Sequence, residues 1–161
     1  MFEKKQPIKI TDPHLALIKM QSWCAYQERC QQDTRNKLYE LGLWPEAIEN
    51  IIVKLIEDNF INEERFAMQF AKGKFNIKKW GRIKIKQELR QKRVGDYCLK
   101  KAMLQIDEVD YLNTLKILIE KKRKLISEKN AIKLKYKLMN YALSKGYEKD
   151  LVFDILNNKE T

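Results

Sequence analysis

The chain lacks what several protein classes require. Its longest apolar runs are about four residues, as in Leu15-Ala16-Leu17-Ile18, whereas a membrane-spanning helix needs roughly 20. Five glycines and three prolines among 161 residues argue against collagen-like or low-complexity chains. The glycines, Gly42, Gly73, Gly81, Gly95 and Gly146, are scattered singly, so there is no glycine-rich loop to cradle a phosphate. His14 is the only histidine, and Cys24, Cys30 and Cys98 lack the short spacing of a zinc site. The start carries lysines but no apolar core of a secretory signal. Three cysteines without an export signal are expected to stay reduced in a cytoplasm. The carboxylate groups Glu63-Glu64 and Asp107-Glu108-Asp110 sit at inferred helix starts, where the helix dipole accounts for them. No catalytic residue, metal or cofactor is expected, and the chain is read as non-enzymatic.

What the chain has is charge, 33 basic against 22 acidic residues, unevenly spread. The excess is concentrated between residues 72 and 101, a segment with only Glu88 and Asp96 as acids. A field focused in this way attracts a polyanion or an acidic protein surface.

The chain also has helical periodicity. Ala47, Ile48, Ile51, Ile52, Leu55 and Ile56 form one apolar stripe at helical spacing. Cys98, Leu99, Ala102, Met103 and Ile106 repeat it, with Cys98 expected as a buried small hydrophobe, and so do Leu151, Val152, Ile155 and Leu156. Leu38, Leu43, Ile48, Ile51 and Ile52 map onto Leu89, Val94, Leu99, Ala102 and Met103, then onto Ala142, Tyr147, Val152, Ile155 and Leu156. Gly42 and Gly146 share a helix-end slot that Arg93 fills in the middle copy. A further helix precedes each copy, at about 14–29, 63–75 and 109–125. The reading is an all-α fold of three tandem three-helix units, 12–58, 60–106 and 108–157, elongated and curved. Pro45 suits a first helical turn, Asn62 an N-cap, and Ser127 with Glu128 the start of the eighth helix. Ile83 to Lys86 alternates like a strand, but Leu89 follows Ile85 at helical spacing and helix is preferred. A β extension fits only Pro7–Thr11.

The central segment supplies the candidate binding residues: Lys72, Lys74, Lys78, Lys79, Trp80, Arg82, Lys84, Lys86, Arg90, Lys92 and Arg93. On a helix, Arg82, Lys86, Arg90 and Arg93 make a basic stripe beside Ile85 and Leu89. Their mutual repulsion of a few tenths of a kcal/mol per pair is relieved by an anionic partner. Trp80 and Phe75 are placed to stack on bases or, alternatively, to pack under the preceding loop. Lys121-Lys122-Arg123-Lys124 either extends this track or is simply solvated. Arg65 is expected to pair with a nearby glutamate at a helix start, in preference to contacting a partner.

These residues resemble a family. Phe60-Ile61-Asn62-Glu63-Glu64-Arg65-Phe66-Ala67 is similar to the DERFA-type signature of RecX regulatory proteins. Trp80-Gly81, then Ile85, Glu88-Leu89, Lys92 and Val94, resembles the signature that follows it there. Cys24-Ala25-Tyr26-Gln27-Glu28-Arg29-Cys30 through Leu43-Trp44-Pro45 looks like the Bacteroidetes form. The likeness is detailed over about 15–106 and looser beyond. Glu63 stands where Asp is usual, and Arg93 where Gly is usual, which calls for a right-handed or modestly strained turn. The resemblance implies a regulator of the RecA recombinase, acting in recombination and DNA repair under the SOS response, and a cytoplasmic monomer is the default expectation beside it. It implies binding in the groove or at the end of the RecA filament on single-stranded DNA, and inhibition of assembly, ATP hydrolysis and strand exchange.

Binding to DNA alone is expected to be weak and salt-dependent, with a log–log slope of about −4 for six phosphate contacts. The alternative is a stand-alone, sequence-tolerant DNA- or RNA-binding protein. Peripheral membrane binding is a third reading, weakened because the apolar stripes recur in all three units as a shared core requires. Reversing Arg82, Lys86 and Arg90 to Glu is expected to abolish filament binding and spare the fold.

Overall fold

The computed structural model describes residue 6 and residues 8–158. Among these it contains nine helices and no strand. They are α1 Pro13–Tyr26, α2 Gln31–Leu41, α3 Pro45–Glu57, α4 Glu63–Asn76, α5 Arg82–Gln91, α6 Asp96–Met103, α7 Glu108–Leu125, α8 Ala131–Ser144 and α9 Lys149–Asn157. The starts follow from local chemistry. Asp12, Cys30, Asn62, Asp107 and Asn130 each accept an N–H from the first turn that follows, which satisfies a donor the helix cannot. Pro13 and Pro45 open α1 and α3, where a missing N–H costs nothing.

Three expectations are revised at these ends. The first helix stops at Tyr26 and not near 29, because Cys30 begins the next helix as its cap. The eighth starts after Asn130, not at Ser127; Glu128 instead accepts from the Asn130 N–H at 3.2 Å and from Lys137 at 3.0 Å. Pro7 lies outside the described residues, and residues 8–11 form no strand, although the Ile10 N–H donates to the Leu41 carbonyl at 2.9 Å.

The repeat is visible in hydrogen bonds. Leu43, Val94 and Tyr147 donate backbone N–H groups to Leu38, Leu89 and Ala142, at 3.3, 3.1 and 3.2 Å. Gly42, Arg93 and Gly146 each donate one turn back, to Tyr39, Arg90 and Leu143. All three are left-handed, with φ of 99°, 57° and 95°, so one Schellman turn is built three times. Of the two turns open to Arg93, right-handed or modestly strained, it takes the strained one, left-handed at a steric cost glycine does not incur.

The helices pack within consecutive threes. Unit one has its own core, around Met20, Leu38, Leu55 and Ile61. Units two and three share another, with Ile85 and Leu89 beside Tyr111, Leu115, Leu138 and Tyr147. Ile56 ends the α3 stripe on the surface and Cys98 is half-buried, not buried. The chain exposes 11114 Å² against roughly 8,500 Å² for a compact monomer of this mass, so the array is elongated.

The two junctions between units use equivalent parts. At the first, the start of α2 docks on α4 and on the end of α5. The Gln31 N–H donates to Glu63 at 2.8 Å, Lys92 pairs with Asp33 at 2.8 Å, and Arg65 pairs with Glu28. At the second, the start of α5 docks on α7 and on the α8–α9 turn. Gly81 donates to the Lys145 carbonyl at 2.7 Å and Ile83 to the Gly146 carbonyl at 3.0 Å. A Cβ at Gly81 would lie 2.3 Å from the Gly146 backbone, so only glycine permits this crossing.

Candidate nucleic-acid and partner interface

The loop from α4 to α5 turns sharply, through Lys79 at φ 58°. Tyr147 holds the turn by donating its hydroxyl to the Lys79 carbonyl at 2.9 Å. Trp80 is thereby laid half-buried against the shared core. Lys74 and Lys84 place their ammonium groups 4.9 and 4.5 Å from its ring centroid. Phe75, offered as a stacking residue, is instead buried in the core against Tyr111 at 5.8 Å, which leaves it no face for a base.

Arg82 does not join the basic stripe. Its guanidinium reaches Glu108 at 2.6 Å and Glu148 at 2.7 Å, and lies 4.1 Å over the Tyr111 ring. Its backbone N–H donates to the Tyr111 hydroxyl at 3.0 Å, and that hydroxyl donates to Glu148 at 2.7 Å. Glu148 above all holds the guanidinium protonated well above its ordinary range, and burial pushes the Tyr111 phenol up. Arg82 is therefore a bolt between units two and three, and reversing its charge would act on the fold. Glu108, at the start of α7, was readable as a dipole partner, and Glu148, the N-cap of α9, was not singled out. Their reach to Arg82 was not readable, because it depends on how the units dock.

The other candidates divide by partner. Lys92 is committed to Asp33 at the first junction. Arg93 is the exposed residue of the left-handed turn. Lys72, Lys78, Lys79 and Arg90 are exposed and Lys86 is partly so; among the described residues none of these five forms an ion pair. Lys86 and Arg90 line an open groove of about 730 Å³ with Lys100 and Leu104. Lys100 and the 76% exposed Leu104, which line this groove, were not singled out in the sequence. The charge of Lys100 was legible, but its position beside Arg90 depends on the α5–α6 packing.

Arg65 bonds Glu28 in the α1–α2 loop and Asn59, not an acid of its own helix start, and so ties unit one to unit two. Among the described residues no group of three or more His, Cys, Asp or Glu side chains is placed to hold a metal ion. Burial pushes the Cys30 thiol up to about 12, and that sulfur serves as the cap of α2. No described helix is long and apolar enough to cross a membrane.

Fold and surface together define a class: an elongated all-α array of three-helix repeats, with cations concentrated on its middle unit. Family models describing the second and third three-helix domains of RecX match residues 62–103 and 108–156. The chain belongs to the RecX family. It is 26% identical over 137 residues to proteins named Regulatory protein RecX from Bacillus thuringiensis (strain Al Hakam) and Bacillus cereus (strain AH187). That alignment covers 85% of this chain and 51% of each relative, so the chain spans about half the length of the curated relatives it matches. Two solved structures share its fold at 23% identity. A structure of regulatory protein RecX has TM-score 0.82 over 91% of this chain and 72% of its own. RecX from Lactobacillus salivarius has TM-score 0.79 over 91% and 95%.

Proposed function

We propose that the chain is a non-enzymatic regulator of a RecA-type recombinase, acting on the filament that the recombinase forms on single-stranded DNA and restraining its assembly, ATP hydrolysis and strand exchange. The observation that carries this reading is family membership. The unpaired cations of unit two supply the physical means. Among the described residues Lys72, Lys78, Lys79, Lys86 and Arg90 stand on one unit without an ion-pair partner, ready to replace counterions on phosphates or to meet acidic protomer surface. An elongated array suits a partner that is itself a long helical groove. In this reading the protein works as a monomer in the cytoplasm, with modest DNA affinity of its own and specificity supplied by the recombinase.

The test is DNA-dependent ATP hydrolysis by the cognate recombinase, with this protein titrated from far below stoichiometry. Inhibition at substoichiometric amounts is the expected result. Loss of activity only when the protein coats the DNA would leave a plain nucleic-acid-binding protein and overturn the regulatory reading. The double variant K86E/R90E is expected to keep the wild-type melting temperature and to inhibit at least tenfold less, since each lost charge-assisted contact is worth about 1.5–3 kcal/mol. Arg82 is left intact there because it holds the fold.

A further inference from the structure

The two junctions are built alike, yet one pair of equivalent positions differs in charge. Asp33 is the third residue of α2 and Lys92 the C-cap of α5, and they form the 2.8 Å ion pair of the first junction. Their counterparts at the second junction are Lys84, third in α5, and Lys145, the C-cap of α8. An ion pair in one copy has become two cations in the next. Lys84 packs on the residue next to Lys145: a Cβ on Gly146 would lie 2.3 Å from the Lys84 Cβ. The junction's carboxylates, Glu108 and Glu148, are bonded to Arg82. Among the described residues neither lysine has an ion-pair partner.

Aromatic rings continue the row on both sides. Lys74 and Lys84 share the Trp80 ring, at 4.9 and 4.5 Å. Lys122 and Lys145 share the Tyr141 ring, at 4.8 and 6.0 Å. Each cation–π contact is a weak attraction at a partly exposed site, while two ammonium groups beside one ring repel. The arrangement is strained electrostatically until an anion arrives. Cations held over ring faces suit the phosphate backbone of a single nucleic-acid strand, whose charges they can meet.

We infer that Lys74, Trp80, Lys84, Lys145, Tyr141 and Lys122 form a track for the backbone of single-stranded DNA across the junction of units two and three. This rests on the proposed function for its biological setting but is tested without the recombinase. The full chain is titrated against a labelled oligodeoxythymidylate by fluorescence anisotropy over a salt series. Four lysine contacts give an expected log–log slope of roughly −3. Lys84→Asp rebuilds the ion pair of the first junction. The expected result is an unchanged or higher melting temperature, about tenfold weaker binding and a slope cut to about half. Lys122→Gln with Lys145→Gln, both partly exposed, is the second variant should Lys84→Asp fold poorly, and is expected to bind about tenfold more weakly.

Wild-type affinity in a folded variant overturns the track, as does a wild-type chain with no salt-dependent affinity for the oligonucleotide. If Lys84→Asp loses only recombinase inhibition and keeps DNA affinity, the row faces an acidic protein and the inference fails. If DNA binding behaves as expected but ATP hydrolysis is never inhibited, the track stands and the regulatory reading falls.

Discussion

Arg82 shows how one side chain can look like a ligand contact and act as a structural bolt. It begins α5 in a run of cations, yet its side chain is only 22% exposed and is matched to two carboxylates and a phenol. Removing it strands Glu148 beside a buried ring, and such losses cost several kcal/mol in fully buried pairs. With partial exposure, Arg82→Gln is expected to cost about 2 kcal/mol, read as a lower urea midpoint. An unchanged midpoint would return Arg82 to the binding surface. The phenols beneath it predict an alkaline limit. Burial raises both Tyr111 and Tyr147 above the ordinary 10.0, so the folded chain retains protons that the unfolded chain releases. Their contribution is complete below pH 10.0 and is lost as pH climbs through the raised values. Melting temperature should therefore fall above about pH 10, and less steeply in Tyr111→Phe, which keeps the ring and loses the ionising group.

At the scale of the element, α5 divides its faces among three tasks. Ile85 and Leu89 are fully buried in the shared core, Arg82 and Lys84 meet unit three, and Lys86 and Arg90 face the open groove. Periodicity predicted the buried face correctly, because burial depends on spacing that any helix imposes. It placed Arg82 on one outward stripe with Lys86, Arg90 and Arg93, since spacing alone cannot say which part of a polar face another unit covers. The end of α5 carries a separate cost in Arg93 at φ 57°. Arg93→Gly is expected to stabilise the chain by up to about 1 kcal/mol, seen as a small rise in melting temperature. A fall would mean that the arginine side chain contributes more than its backbone costs.

For the whole molecule, the division into two cores has consequences for cooperativity. Unit one is joined to unit two largely through polar contacts, Glu28 with Arg65, Asp33 with Lys92 and Glu63 with the Gln31 N–H. The apolar exchange is small: among the described residues Cys30 of unit one is buried in the neighbouring core, and Ile61, just before α4, is buried in that of unit one with Phe60 packed against it. Units two and three meet through a continuous core and a backbone crossing at Gly81 and Gly146. Gly81→Ala forces a methyl group into that backbone, where an overpacking cost of about 1–3 kcal/mol is typical. Native-state hydrogen exchange is expected to show faster opening of α4–α9 together in this variant, with α1–α3 unchanged. Uniform acceleration along the chain would instead mark one cooperative body.

Helix positions and the threefold repeat are written in the sequence, because apolar spacing, caps and turn residues act over a few neighbours. Leu38, Leu89 and Ala142 are legible as one buried position, and Asn62 as a cap, without any knowledge of tertiary packing. So is the concentration of positive charge in the middle of the chain, which is a sum over residues. Which charges face outward is decided by docking between units. Arg82 and Lys92 are consumed by acids 26 to 66 residues away, and Lys84 packs on Gly146 only because Gly81 and Gly146 let two backbones touch. Such pairings belong to the relative placement of units, and only the tertiary structure, with its long-range distances, decides them.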